Sequence, residues 1–269
     1  MDRSFPTEDA ELDLLENAAR EAGRVAMSYF RKDPEIWWKE NNSPVSEGDY
    51  AVDRYLKETL LGARAHYGWV SEESVVEGDA PADREDRFFV VDPIDGTRAY
   101  LRGEATWCVS IALISGDRPI AGAIYAPVSD EMFTATRSGA ACLDGGRLMN
   151  GDEAKTRLSI GMPDSFRKAY SRLERSGERP VDPERGAPSL AYRLCQVAAG
   201  RIDATLIRPR ANDWDVAAGD LLLEKANGAL ATEGGGPILY TRHPKRHGLL
   251  VAASNAAMAD ARALAHALM

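Results

Sequence analysis

The chain has little of what disulfide, zinc and membrane chemistries require. Only three cysteines occur in 269 residues, Cys108, Cys142 and Cys195, and they stand far apart. That excludes a disulfide framework and a thiolate metal site, so packed thiols in a reducing compartment are expected. Four histidines occur (His66, His243, His247, His266), and Pro244 interrupts the single pair at helical spacing. No imidazole zinc site is therefore expected. No apolar run approaches the ~20 residues that span a bilayer, and Met1 to Thr7 carries no apolar signal core. The expectation is a cytoplasmic protein with no membrane partner. A basic excess is missing too: 33 Lys and Arg face 42 Asp and Glu, a net charge of −9. That disfavours nucleic acid as the main partner. An anionic substrate remains compatible, because a bound cation reverses the local field. There is no internal repeat and no low-complexity tract.

What is present centres on Val90-Val91-Asp92-Pro93-Ile94-Asp95-Gly96-Thr97. The run Phe88 to Val91 predicts a buried strand ending in Asp92. Pro93 has no amide to donate and is expected to stop the ladder. Gly96 permits a tight turn, and Thr97 is a candidate cap for a short helix over Arg98 to Leu101. Such a turn sets two carboxylates beside unpaired backbone N–H groups, a place for a hard cation and a phosphate. An ordinary strand-to-helix turn has the same residues.

Around this stretch, Thr7 is expected to cap a helix reaching about Phe30, and Pro34 to end it. Tyr50 to Leu61 predicts a second helix, with Ser46 and Asp49 at capping-box spacing. Asp49 is then a cap partner, and Lys39 by default a solvated lysine. Gly68 to Ser71 is a short strand leading into Glu72-Glu73. Strand alternation lets only one of these face a site, and a surface turn explains both. Val75 to Arg87 reads as an exposed loop. Trp107 to Ile114, Ile120 to Ala126 and Met132 to Thr136 predict an antiparallel meander. Ala140 to Thr156, rich in glycine and polar residues, predicts a boundary between an N-terminal α+β domain (1–148) and a C-terminal α/β domain (149–269). Beyond it, Leu158 to Met162 reads as a strand, Ser165 to Arg175 as a helix, and Ser176 to Pro188 as a loop. Ser189 caps a helix to Ala199 that Gly200 closes, and Asp203 to Ile207 is a strand. Asp215 stands at or beside the N-cap of a helix whose Ala217, Ala218 and Gly219 permit close backbone approach. Asn227-Gly228 ends that helix. Gly234 to Gly236 is a loop, Gly248 to Ser254 a strand, and Asn255 to His266 a final helix.

Asp49, Glu72, Asp92, Asp95 and Asp215 thus stand at element ends. Carboxylates converge only when something positive holds them, and oxygen-only ligands favour Mg²⁺, Mn²⁺ or Ca²⁺. Here the sequence resembles the inositol monophosphatase superfamily. The motifs are the acidic-Pro-hydrophobic-Asp-Gly-Thr turn at Asp92 to Thr97, the upstream pair Glu72-Glu73, and Trp214-Asp215-Val216-Ala217-Ala218-Gly219. The resemblance implies a fold of five alternating layers, α/β/α/β/α, within an α+β class. It implies a homodimer, lithium sensitivity and two or three Mg²⁺ per site, with Mn²⁺ or Ca²⁺ able to substitute. It implies metal ligands Glu72, Asp92, the carbonyl of Ile94, Asp95 and Asp215. Asp49, with Thr97, would position or deprotonate a water, and Glu72 counts with them among the catalytic residues. The amides of Gly96 and Thr97 would grip the phosphate, with Asp215 and Arg208 towards the rest of the substrate. Lys39 lies near where the family often has a lysine.

The implied activity is Mg²⁺-dependent phosphomonoester hydrolysis of a small phosphorylated metabolite. Three departures bear on the substrate. The turn continues Arg98-Ala99-Tyr100, where inositol-type members more often read Asn-Phe. Ala123 to Pro127 looks like the Tyr-Ala-Pro segment of the bisphosphate nucleotidase branch. Arg208 stands where inositol-type enzymes place a glutamate, seven residues before Asp215. An arginine suits a second anion better than a neutral polyol, although Arg208 and Arg210 also fit solvated turn positions. The expected substrate is a 3′(2′),5′-bisphosphate nucleotide such as 3′-phosphoadenosine 5′-phosphate. Inositol 1-phosphate is the alternative, as is a family member acting mainly as a protein-binding regulator.

Overall fold

The structure, a computed structural model, describes residues 5–39, 43–74, 87–151, 155–173 and 181–269. The loop expected over 75–86, the end of the helix at 174–175, the loop start at 176–180 and Asp152-Glu153 lie outside the described residues. Helix α1 (Glu8–Tyr29) begins where the sequence predicts, with the Thr7 hydroxyl accepting from the Ala10 amide. It stops four residues before Pro34, at Phe30, and the chain turns through Arg31 and Asp33 with positive φ. A two-stranded ribbon comes next, β1 (Ile36–Trp38) against β2 (Pro44–Ser46), and leads into α2 (Glu47–Ala63).

Seven strands form the first sheet: β3 (Gly68–Ser71), β4 (Arg87–Asp95), β5 (Cys108–Ser115), β6 (Arg118–Ala126), β7 (Glu131–Thr136), β8 (Ala141–Leu143) and β9 (Gly146–Arg147), in that spatial order. The meander from β4 onward is antiparallel, and β3 joins β4 in parallel. Between β4 and β5 lies the helical turn α3 (Thr97–Leu101). In the second half come β10 (Leu158–Met162), α4 (Asp164–Leu173), β11 (Val181–Arg185), α5 (Leu190–Ala198), β12 (Ala204–Ile207), α6 (Asp213–Lys225), β13 (Gly228–Thr232), β14 (Leu250–Ser254) and α7 (Met258–Ala267). The second sheet runs β11-β10-β12-β14-β13.

Burial alternation shows how the layers stack. On β5, Cys108, Ala112 and Ile114 face a core shared with α5 and α6, whereas Val109, Ile111 and Leu113 face α1 and α2. Both faces of the sheet are covered, so β5 is buried along its length up to Ser115 rather than at alternate residues. On the second sheet, Ile207, Leu250 and Ala252 face the α5/α6 core, and Leu206, Val251 and Ala253 face α4 and α7. The order is helix, sheet, helix, sheet, helix. The five-layer α+β architecture implied by the family resemblance is the one observed.

Two local expectations differ from the structure, and one strand falls where the sequence gives no reading. Segment 181–185, read within a loop, is strand β11, parallel to β10. It contains Pro183 and is exposed beyond Val181, as an edge strand tolerates. Strand β13 begins directly after Asn227, whose φ of 60° ends α6. Its Ala-Leu-Ala core carries little strand signal and is set by pairing with β14. Pro93, expected to stop the ladder, lies inside β4.

Candidate active site

The Asp92 turn does not end the sheet. Asp92 pairs with Ser110 and Asp95 with Cys108, so three steps on β4 match two on β5. Pro93 therefore sits in a bulge instead of terminating the ladder. The extra residue has a consequence for chemistry. Residues three apart on a regular strand point to opposite faces, and a bulge re-aims one of them. Asp92 and Asp95 can then face the same side. One carboxylate oxygen from each of Asp92, Asp95 and Asp215 lies within 4.8 Å of the other two.

Each carboxylate is anchored by its own element. Asp92 Oδ1 accepts from the Ile94 amide at 3.1 Å, while buried Asp92 Oδ2 has no hydrogen-bond partner among the described residues. Asp95 Oδ2 accepts from the Ser189 hydroxyl at 2.7 Å and the Ala191 amide at 2.5 Å, at the start of α5. Asp215, in the first turn of α6, accepts the Asn212 amide at 2.6 Å, which is the capping role expected of it. Gly122 on β6 lets this helix close down: a Cβ there would stand 3.3 Å from Ala218 Cα. The small residues at the helix start serve the close approach the sequence predicts.

Gly96, and not Thr97, is the N-cap of α3, with φ of 97°. A Cβ at Gly96 would lie 3.1 Å from the Thr106 carbonyl oxygen and from Ser189 Cβ, so no other residue fits without movement. Thr97 Oγ1 stands 3.3 Å from Asp49 Oδ1 and 3.1 Å from the Ile94 carbonyl oxygen. Asp49 does act as a cap partner, its Oδ2 accepting the Ser46 amide at 2.8 Å and the Ser46 hydroxyl at 2.5 Å. Its other oxygen faces Thr97.

Glu72 and Glu73 lie beyond the last residue of β3, so strand alternation does not separate them. Lys39 Nζ reaches both, at 3.0 Å from Glu72 Oε1 and 2.7 Å from Glu73 Oε1. Lys39 is thus a partly buried ion-pair centre rather than a solvated lysine. Burial works against its charge, but Glu72 and Glu73 outweigh it and raise its pKa. Burial, with the charge of Glu72, lifts Glu73 to about 7.

Burial also raises Asp92 well above the usual carboxylate range, with Glu72, Asp95, Asp215 and Asp49 adding repulsion. Asp215 is raised likewise, by burial and then by Asp95. Asp95 stands at about 6 because burial outweighs the bonds from Ser189 and Ala191. Asp49 stands at about 6 because burial outweighs the bonds from Ser46. Converging acids that repel, one with an orphaned buried oxygen, have the donor set and the electrostatic need of a hard-cation site. The residues present fit a divalent metal.

These carboxylates form one wall of a cavity of about 960 Å³ between the two sheets, which also takes in Glu72, Gly96 and Thr97. The rest of its lining includes Arg98, Arg185, Arg193, Arg208 and Arg210. All the predicted site residues but Asp49 and Ile94 line this cavity, and those two contact it through Thr97. Arg193 was not evident from the sequence. The available signal is one charged residue in the mostly apolar run Leu190 to Ala198.

Comparison with known proteins agrees with the geometry. The sequence profile of the inositol monophosphatase family matches residues 8–268. The chain belongs to the inositol monophosphatase family. Within it, the chain is 34% identical to "Inositol-1-monophosphatase" of Mesorhizobium japonicum over 236 residues, which is 84% of this chain and 87% of that protein. It is 32% identical to "Nus factor SuhB" of Escherichia coli K12 over 237 residues, 84% of this chain and 86% of that one. The solved structure of suhB from Bartonella henselae superposes with a TM-score of 0.79 at 27% identity, covering 96% of this chain and 98% of that chain. The Thermotoga maritima IMPase, at 20% identity and TM-score 0.82, shares the fold over 96% of this chain and 98% of its own. Membership makes this chain a metal-dependent phosphoric monoester hydrolase. Among the described residues no helix is long and apolar enough to cross a membrane.

Proposed function

We propose that this family member hydrolyses a small metabolite carrying a second anionic group, with 3′-phosphoadenosine 5′-phosphate the best fit, in the presence of Mg²⁺. The observation that carries this reading is the two-poled cavity, acidic at Glu72, Asp92, Asp95 and Asp215 and rich in arginine elsewhere. A neutral polyol gives an arginine-lined wall nothing to neutralise, whereas a second phosphate does.

The metal ligands in this reading are Glu72, Asp92, Asp95, Asp215 and the carbonyl of Ile94. When bound, Mg²⁺ supplies positive charge for the phosphate and lowers the pKa of water. The other steps belong to the chain's own groups. Thr97 Oγ1 orients the attacking water, and Asp49 Oδ1 receives its proton through that hydroxyl. The Gly96 and Thr97 amides hold the phosphate oxygens, and Arg208 meets the far end of the substrate. The same reading carries homodimerisation, lithium sensitivity and a cytoplasmic site of action.

Steady-state kinetics with 3′-phosphoadenosine 5′-phosphate and inositol 1-phosphate test it. A kcat/KM for inositol 1-phosphate tenfold or more above that for the nucleotide rejects the nucleotide reading. Inositol 1-phosphate is the second reading, favoured by the 34% identity to the Mesorhizobium protein of that name. A role as a protein-binding regulator, prompted by the likeness to proteins named Nus factor SuhB, predicts that Asp92→Asn keeps the biological function while losing turnover.

A further inference from the structure

Asp53 lies one helical turn beyond Asp49 on α2, so the two side chains share a face of that helix. It is 8% exposed and does not line the cavity, so it touches neither substrate nor reacting atoms. Both of its oxygens are nonetheless committed to one short stretch of chain. Oδ1 accepts from the Ser71 hydroxyl, and Oδ2 accepts from the Ser74 hydroxyl at 2.6 Å. Those two serines flank the Glu72-Glu73 pair. Ser71 gives its one hydroxyl proton to Asp53, and its oxygen accepts the Glu73 amide at 3.3 Å. The Glu72 amide donates to the Val91 carbonyl at 3.2 Å, and the Ser74 amide to the Ser71 carbonyl at 3.4 Å. The turn that carries Glu72 is thus tied to β4 through its backbone and to α2 through Asp53. Lys39 holds the outer ends of the two glutamates, and Asp53 holds the chain beneath them. A buried carboxylate is costly unless its hydrogen bonds are made, and the bonds made here bracket a single residue pair.

We infer that Asp53 is a positioning residue for the metal site: by bridging Ser71 and Ser74 it latches the Glu72 turn onto α2 and fixes the Glu72 carboxylate relative to Asp49 and to the cluster of Asp92, Asp95 and Asp215. This rests on the reading of Glu72 as a metal ligand and goes beyond it. A ligand held in place before the cation arrives binds without the cost of ordering its own chain. Cutting the latch leaves the Glu72 carboxylate present on a loosened turn, so cation affinity falls first. Thr97 and Asp49, which act on the water, keep their own partners. Turnover at saturating Mg²⁺ therefore falls less.

The test is the affinity of the full-length protein for Mn²⁺, read without substrate from the free-ion signal in electron paramagnetic resonance, beside the Mg²⁺ concentration that gives half-maximal activity. Asp53→Ala is expected to weaken Mn²⁺ binding and raise the Mg²⁺ requirement by about tenfold or more, with kcat at saturating Mg²⁺ reduced by a smaller factor. Ser74→Ala cuts one arm of the latch at a partly exposed residue, so it stays informative if Asp53→Ala fails to fold. It should move both quantities the same way by a smaller factor, and in the Asp53→Ala background it should cost nothing further. Asp53→Asn keeps an acceptor for one serine and offers its amide to the oxygen of the other, and should recover most of the affinity. Glu72→Gln is the control for the ligand itself and should lose at least as much affinity as Asp53→Ala. Unchanged Mn²⁺ affinity and Mg²⁺ requirement in Asp53→Ala, or in Ser74→Ala where the former does not fold, would make Asp53 a purely structural partner and overturn the assignment. Additive losses for Asp53→Ala and Ser74→Ala overturn it as well. If Glu72→Gln still loses affinity in those cases, the ligand reading stands and the assignment alone fails. Undiminished Mn²⁺ binding in Glu72→Gln overturns both together.

Discussion

Removing a carboxylate from this site should make the metal-free protein more stable while destroying its activity. Asp95 shows why. Its pKa rises from 3.8 to about 6 on folding, chiefly through burial. At pH 7.5 the group is ionised in both states, and burial makes that charge costlier in the folded chain than in the unfolded one. At 1.36 kcal/mol per pKa unit, the penalty is about 3 kcal/mol. The sign comes from linkage: a carboxyl raised on folding favours the folded state at low pH, and that advantage fades as pH climbs through about 6. Asparagine keeps the shape and an acceptor oxygen for Ser189 and Ala191 without the charge. In EDTA at pH 7.5, Asp95→Asn should gain up to about 3 kcal/mol, or about 6 °C in Tm for a chain of this size. At pH 5 the wild type is already largely protonated at this group, and the gain should shrink to about half. Millimolar Mg²⁺ should reverse the order, raising the wild-type Tm more than that of the variant. Thermal unfolding monitored by near-ultraviolet circular dichroism, at both pH values with and without Mg²⁺, reads all of this. If Asp95→Asn lowers Tm equally at both pH values in EDTA, the carboxylate is a structural partner and the reasoning is refuted.

Three further outcomes rest on single contacts. Thr97→Val removes the hydroxyl between Asp49 and Ile94 while keeping the shape. It should lower kcat by about 10² with little change in Tm, and Thr97→Ser should recover most of it; unchanged turnover would remove Thr97 from the chemistry. Gly96→Ala forces a side chain into left-handed backbone 3.1 Å from the Thr106 carbonyl oxygen. Urea unfolding should show a loss of about 1–2 kcal/mol, together with reduced activity. Ser189→Ala removes both the α5 cap and a donor to Asp95; about 1 kcal/mol of stability should go, and half-maximal activity should need more Mg²⁺.

The parts of this site legible in the sequence are those written in neighbouring residues. Thr7 and Ser189 announce their helices through local capping, and Ser46 and Asp49 form the box their spacing predicts. The acids at element ends could be picked out because no histidine or cysteine set competes with them. What tertiary pairing decides was not legible. Pro93 looks like a stop in isolation, yet β5 continues past it and turns it into the bulge that brings Asp92 and Asp95 together. Strands β11 and β13 have weak local signals and exist through β10 and β14. Lys39 reads as a surface lysine until the chain returns with Glu72 and Glu73. Arg193 is one charge in a mostly apolar helix, and its place depends on a glycine seven residues before it and on carboxylates from two other elements.

The central claim is that Asp92, Asp95 and Asp215, with Glu72, bind divalent cations. Crystals grown with Mn²⁺ and measured at a wavelength where manganese scatters anomalously address it directly. The account predicts anomalous peaks at bonding distance from carboxylate oxygens of Asp92, Asp95 and Asp215, and none there in Asp92→Asn. Peaks only elsewhere on the surface, with the three carboxylates free of metal, would contradict it.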